Sequence, residues 1–457
     1  MSELRDRIAA LLPSARDDLA ELVAMRSVAD ARQFPAEECA RAATWVLDAF
    51  VAVGFTDVRL VPTTDGSLAV LGARPCGDPD APTVLLYAHY DVQPPVDEAA
   101  WRTPPFELTE VDGRWYGRGA ADCKGNIVAH LTALRALGSD VPVNLKLVVE
   151  GSEEQGTGGL ADHLRQRPED LRADAILLCD TGNAAVGRPG LTVSLRGMVN
   201  LVVTVETLES EVHSGMYGGP APDALAALVA ILATLRDADG NTRIAGMDGD
   251  RTWFGEPYPA DRFRADAGVL PGVALLGDGE VADVLWARPA VTILGIDCPP
   301  VLGSSAAIAP RASARLNLRV PPDMDLDDAE TTLVDHLHAA APWGAHVRVE
   351  VEARGAPFRA PVDGPAYHAI AEAMQEAYGV APTTLGQGGS IPLATELARA
   401  HPGAEIILMG VEEPRALIHA PNESVDPAEI AGIALTEALF LRHYPAKRRI
   451  ADRGAPR

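Results

Sequence analysis

Two histidines and a set of acids fall where apolar runs end. His89 and Asp91 close "TVLLYAHYD", and Glu153 and Glu154 stand in "GSEEQG" after "VNLKLVVE". Asp180 ends "AILLCD", and His419 lies just beyond "AEIILMG". Asp122 sits in "GRGAADCKG", a glycine-flanked loop ahead of a helical segment. Residues i and i+2 of an extended chain share a face, so Asp91 can reach the His89 ring. A metal-bound histidine usually gives its second ring N–H to such a carboxylate, which sets its tautomer and orientation. The adjacent Glu153 and Glu154 point in different directions, so one can bind metal while the other carries a proton. Water between two divalent ions is a good nucleophile near neutral pH, and two such ions need a shared carboxylate. Imidazole mixed with carboxylate favours Zn²⁺, with Mn²⁺ or Co²⁺ as alternatives, over the all-oxygen sets of Ca²⁺ and Mg²⁺.

The elements that must position these residues alternate in type. A helix over about 36–53 leads through "VRLVPT" and "SLAVLGAR" to the strand "TVLLYA". A helix at "GNIVAHLTALRALG", the strand "VNLKLVVE", a helix near "GGLADHLRQR" and the strand "DAILLCD" follow. Apolar strands separated by helices predict an α/β fold, a mainly parallel sheet covered by helices on both faces. In such open sheets the ligand crevice lies at the carboxyl ends of the strands, where the histidines and acids collect.

From about residue 197 the order becomes strand, helix, strand, strand, helix, strand, interrupted by a Gly- and Asp-rich insertion over about 236–288. That order predicts a ferredoxin-like α+β unit of four strands with two helices on one face. The helix "PAYHAIAEAMQEAY" and the strand "AEIILMG" then return to the first style. The reading is one domain, 1–196 with 359–457, interrupted by a second at 197–358.

The 457-residue chain has 39 basic and 64 acidic residues, a formal net charge of −25. An acidic surface argues against nucleic acid and anionic membrane as partners. No charged start precedes an unbroken apolar core, so neither a signal peptide nor a membrane span is expected. Five scattered cysteines without a CxxC pair fit a reduced cytoplasmic compartment. Cys123 and Cys179 read as small buried side chains, and His130 and His163 as structural or solvated. Ser152 and Ser214 lack the context of a serine hydrolase.

The ordered segments "AHYDVQP", "GRGAADCKG", "EGSEEQGTGG", "CDTGN", "HSGMYGG", "GQGGSIP" and "IHAPNES" resemble the M20 metallopeptidase family, particularly its cytosolic dipeptidase and carnosinase branch. The resemblance implies a two-metal catalytic domain with an inserted lid that also forms a homodimer. It implies that His89 and Asp180 bind one metal, Glu154 and His419 the other, and that Asp122 bridges them while Asp91 steadies His89. Glu153 would be the general base. His213 would reach across the dimer to stabilise the oxyanion, and Arg319 with Gly388, Gly389 and Ser390 would take the substrate carboxylate. The implied activity is hydrolysis of dipeptides. The alternatives are an N-acyl amino acid deacylase or carboxypeptidase of the same family, and a binding protein that has kept the fold without catalysis. Two departures touch substrate contacts. Gln387 stands where the branch usually has an acid, and "GSSAAIAP" at 303–310 lacks the expected lid threonine.

Singly, each of these residues has a plainer explanation. Paired glutamates are most often surface charge, an acid in a glycine-rich loop most often caps a helix, and "GGS" is most often a turn. Their collection at one sheet edge is what favours chemistry.

Overall fold

The computed structural model describes residues 2–389 and 391–454. Its contacts divide the chain into two compact units, Met1–Val193 with Ala360–Leu385 and Pro392–Arg457, and Ser194–Arg359 with Gly386–Ile391.

The sheet of the first unit runs in the order 59–62, 68–74, 144–150, 83–89, 175–179, 405–409, 190–195. The four strands from Asn144–Glu150 to Glu405–Met409 are parallel. The strands outside them pair antiparallel, so the sheet is mixed and its parallel part is the centre. The central strands are apolar because both faces are covered. Val84, Leu86 and Ala88 pack into a core with the helices Ser2–Ala24, Lys124–Leu137, Pro365–Tyr378 and Pro427–Gly454, while Leu85 and Tyr87 between them are buried on the opposite face. Helix Lys124–Leu137 lacks a polar stripe, since every residue of it except Arg135 is buried. Its fully buried Lys124 donates to the Leu22 and Met25 carbonyls, at the end of helix Ser2–Ala24. A cation there satisfies carbonyls that the helix leaves free.

The second unit holds a four-stranded antiparallel sheet in the order 290–297, 311–320, 197–206, 346–355. Val199, Leu201, Val203 and Val205 alternate inward against the helices Ala224–Ala233 and Leu326–Ala339. Asp223 and Asp325 cap those helices by accepting backbone N–H groups of their first turns. This is the ferredoxin-like arrangement expected from the element order. The insertion carries the short helix Ala260–Asp266 and an aromatic cluster of Trp253, Tyr258, Phe263 and Trp286. Among the described residues no helix is long and apolar enough to cross a membrane.

Candidate metal centre

His89 ends the central strand Thr83–His89 with its side chain fully buried. Its Nδ1 lies 3.0 Å from the Asp91 backbone carbonyl and 3.4 Å from Asp91 Oδ1, so the carbonyl is the nearer acceptor. The carboxylate of Asp91 is turned to a second task. It accepts the N–H groups of Glu153 and Glu154 at 3.1 and 3.0 Å, anchoring the turn that carries both acids.

His89 Nε2 faces two carboxylates, Asp122 Oδ1 and Asp180 Oδ1, each at 3.0 Å. The other oxygen of Asp122 lies 2.9 Å from His419 Nε2, and Glu154 Oε2 lies 3.1 Å from the same nitrogen. Asp122 thus gives one oxygen to each histidine. His419 comes from a loop in left-handed backbone, φ 64°, an uncommon setting for a residue with a side chain. Its side chain is 54% exposed, so the site is open on that side. Asp180 is held by close approach of two strand ends. Its N–H donates to the Met409 carbonyl, and a Cβ on Gly410 would lie 2.1 Å from the Thr181 oxygen.

Acids outnumber bases here, and this crowding shifts the proton affinities of the groups. Burial opposes a charge on His419, yet its hydrogen bonds to Asp122 and Glu154 push its pKa up to about 11. Burial likewise opposes charge on His89, and its acidic neighbours, the carboxylates of Asp180 and Asp122 among them, more than offset it. Burial, then repulsion from Asp180, raises Glu153 well above the usual carboxylate range. Burial also pushes Asp180 up to about 6. Such crowding is relieved when cations supply positive charge.

The donors fit divalent cations. Asp122, Glu154 and His419 can meet at one point, and Asp180 and His89 stand on the opposite side of Asp122. A further acid, Glu412, joins Asp122 and Asp180 in a third such group, and its buried Oε1 has no hydrogen-bond partner. Cys123 lies beside His89 and Asp180, but burial pushes its thiol up and its Sγ–H donates to the Cys179 carbonyl at 3.0 Å. It remains a thiol, as its sequence context suggested.

Three residues of this site were absent from the sequence reading. Glu412 follows strand Glu405–Met409, where the rule that found the other acids also applies. Gln93, two residues beyond Asp91, donates to Glu154 Oε2 at 2.8 Å. Glu423 is fully buried and accepts the N–H groups of Gly119, Ala121 and Asp122, clamping the loop that presents Asp122. No local pattern announces such a clamp from 300 residues away.

The remaining expected site residues belong to the second unit. His213 is exposed and its Nδ1 accepts the Gly215 N–H at 3.0 Å, which leaves Nε2 as the outward nitrogen. Arg319 lies on strand Arg311–Val320 beside Met198. Gly388 and Gly389 follow strand Thr383–Gln387, and Ser390 lies outside the described residues. The histidines read as structural are so. His130 is buried between Glu437 and the Tyr87 carbonyl, and His163 bonds Asp170. Ser152 bonds Asp65 and Ser67, with no histidine.

The pattern of peptidase family M20/M25/M40 matches residues 85–443, which contain every candidate named above. The chain belongs to that family. It is 46% identical over 412 residues to the cysteinylglycine-S-conjugate dipeptidase of Corynebacterium striatum, covering 88% of this chain and 90% of that one. It is 31% identical over 368 residues to the beta-Ala-His dipeptidase of Rattus norvegicus, covering 74% and 71%. Human carnosine dipeptidase 1 superposes with a TM-score of 0.81 at 25% identity, covering 97% of this chain and 98% of that one. This M20 chain is therefore an enzyme of the metallopeptidase class, on the dipeptidase branch, and divalent metal belongs to its chemistry.

Proposed function

We propose that this M20 enzyme hydrolyses free dipeptides, with cysteinylglycine and its S-conjugates as the leading substrate class. The reading rests on one observation above others: Asp122 is divided between His89 and His419, beside a half-buried Glu153 whose carboxyl bonds no described residue. The name and 46% identity of the bacterial relative supply the substrate class.

In this reading His89 and Asp180 would hold one cation and Glu154 and His419 the other, with Asp122 available to both, while Asp91 orients His89 and the Glu153–Glu154 turn. Two bound Zn²⁺ ions, or Mn²⁺ or Co²⁺, would supply a hydroxide equivalent near neutral pH and polarise the scissile carbonyl. Glu153 takes a proton from the attacking water and returns it to the leaving amine nitrogen. Its raised affinity for protons suits a group that must hold one between those events. His213, with Nδ1 occupied by Gly215, donates from Nε2 to the oxyanion in the site of a partner subunit. Arg319 and the backbone N–H groups of the Gly388–Ser390 segment receive the substrate carboxylate. The domain 197–358 acts as the lid and dimer surface. Five free cysteines support a cytoplasmic location for this homodimer.

The test is a chelated protein refilled with Zn²⁺, Mn²⁺ or Co²⁺ and offered cysteinylglycine, β-alanylhistidine and their N-acetylated forms. Free dipeptides should be cleaved by the refilled protein only. Faster cleavage of the acetylated set would make the enzyme a deacylase. Glu153→Gln should keep its metal, measured by atomic absorption, while kcat falls by about 10²–10⁴. A refilled wild type that cleaves nothing in the panel would favour a binding role.

A further inference from the structure

The turn that carries Glu153 and Glu154 is rich in glycine and crowded with charge. Gly151, Gly156, Gly158 and Gly159 flank the acids, and Gly156 and Gly158 have positive φ, so the backbone by itself restrains little. Asp180, Glu154 and Glu150 repel the Glu153 carboxylate. No described residue bonds that carboxyl, so its direction follows the backbone that bears it. Asp91 fastens the middle of the turn through the Glu153 and Glu154 N–H groups. The flanks are fastened by Asp65, which stands in the hairpin turn between strands 59–62 and 68–74 of the same unit.

Asp65 divides its two oxygens between two turns. Oδ1 stays within the hairpin, accepting the Thr63 hydroxyl at 2.6 Å and the Ser67 N–H at 3.0 Å. Oδ2 accepts the Ser152 hydroxyl at 2.7 Å and the Thr157 hydroxyl, which lie on either side of the two glutamates. The Ser67 and Ser152 hydroxyls bond each other at 3.0 Å. Burial opposes a charge on Asp65, yet the hydroxyls of Thr157, Thr63 and Ser152 more than offset it and hold its carboxyl below the usual carboxylate range. A Cβ on Gly159 would lie 2.5 Å from this carboxylate, so the glycine that opens helix Gly159–Gln166 permits the approach. Asp65 is exposed and adds nothing to the core, which leaves the bridge between the turns as what its contacts accomplish.

We propose that Asp65 is a positioning residue for the hydrolysis, tying both flanks of the 152–157 turn to the hairpin and so aiming the Glu153 carboxylate. This deepens the dipeptidase reading and rests on its use of Glu153 as the base. Hydrogen bonds to an ionised acceptor are the strong ones, and a group displaced by about 1 Å can lose about 10²-fold in rate.

The test measures cysteinylglycine hydrolysis by the metal-loaded enzyme. Asp65→Ala should lower kcat by about 10- to 100-fold with KM within about threefold of wild type. Asp65→Asn keeps one carbonyl oxygen and should lie between the two, and it carries the test if Asp65→Ala does not fold by circular dichroism. Metal retained after dialysis should match wild type, because Gln93 holds Glu154 separately. In a Glu153→Gln background, with no base left to aim, Asp65→Ala should cost less than about threefold. Equal losses in both backgrounds, a loss that follows metal content, or an unchanged kcat would each overturn the proposal. Hydrogen–deuterium exchange separates its fate from that of the dipeptidase reading. Asp65→Ala should speed exchange across 152–159 by about tenfold and leave the central strands unchanged. Faster exchange there in a protein that cleaves no dipeptide would sink the activity and leave the clamp standing. Unchanged exchange would sink the clamp alone.

Discussion

Glu150 ends the strand next to His89 with its carboxyl fully buried, accepting the Tyr87 hydroxyl at 3.0 Å. Burial first, and the Asp91 charge next, push its pKa up from 4.5 to about 8. The folded chain therefore keeps a proton that the unfolded chain loses above about pH 4.5. By linkage, this group's contribution to stability is complete below that pH and is lost as pH rises towards about 8. Its slope is at most about 1.4 kcal/mol per pH unit. Glu150→Gln, which cannot ionise, should flatten the fall in stability across that window, measured by urea unfolding at a series of pH values. Identical pH slopes in wild type and variant would remove Glu150 as the cause. The same scale shows what single residues concealed. His89 and Asp180 were legible because each ends an apolar run, and His419 because its segment resembles a family motif, whereas Gln93 and Glu412 follow strands without such a mark.

The loop that presents Asp122 is held as an element by an acid from the far end of the chain. Glu423 accepts three loop N–H groups and pairs with Arg118, which is itself buried. Truncating one partner leaves the other charge buried and alone. Glu423→Ala should therefore cost about 3–5 kcal/mol in chemical denaturation. Because the loop aims Asp122, metal retained after dialysis should fall with it. Glu423→Gln keeps one acceptor oxygen and should cost less. A Glu423→Ala protein with unchanged stability would mean that water replaces the carboxylate and that the loop holds its own shape. At this scale the sheet also repaid its sequence pattern unevenly. Continuous apolar runs identified the parallel centre, while the antiparallel flanks depend on which strands become neighbours, and no run of residues states that.

Across the whole molecule, the acidic and imidazole donors lie in one unit while His213 and Arg319 lie in the other. The proposed dimer makes a direct demand of that division. If His213 serves the partner subunit's site, mixing Glu153→Gln with His213→Ala protein should restore activity. In each mixed dimer one site would then have both an intact Glu153 and an intact His213. Each variant alone should lose at least about 10²-fold in kcat. Mixed subunits that stay as inactive as the parents, after verified exchange, would place His213 in its own chain's chemistry.

Residue types and their order determined the class of this protein. Acids and histidines at strand ends, in a run of segments resembling one peptidase family, are local facts that survive without coordinates. The element order likewise carried the ferredoxin-like unit, because hydrophobic period and length distinguish strands from helices. Only the tertiary structure decided the rest. It divided the two oxygens of Asp122 between histidines 330 positions apart, turned Asp91 onto the Glu153–Glu154 backbone, and left Arg196 without an acid among the described residues. Those outcomes depend on which buried polar groups find partners, and burial and pairing come into being only when distant segments pack.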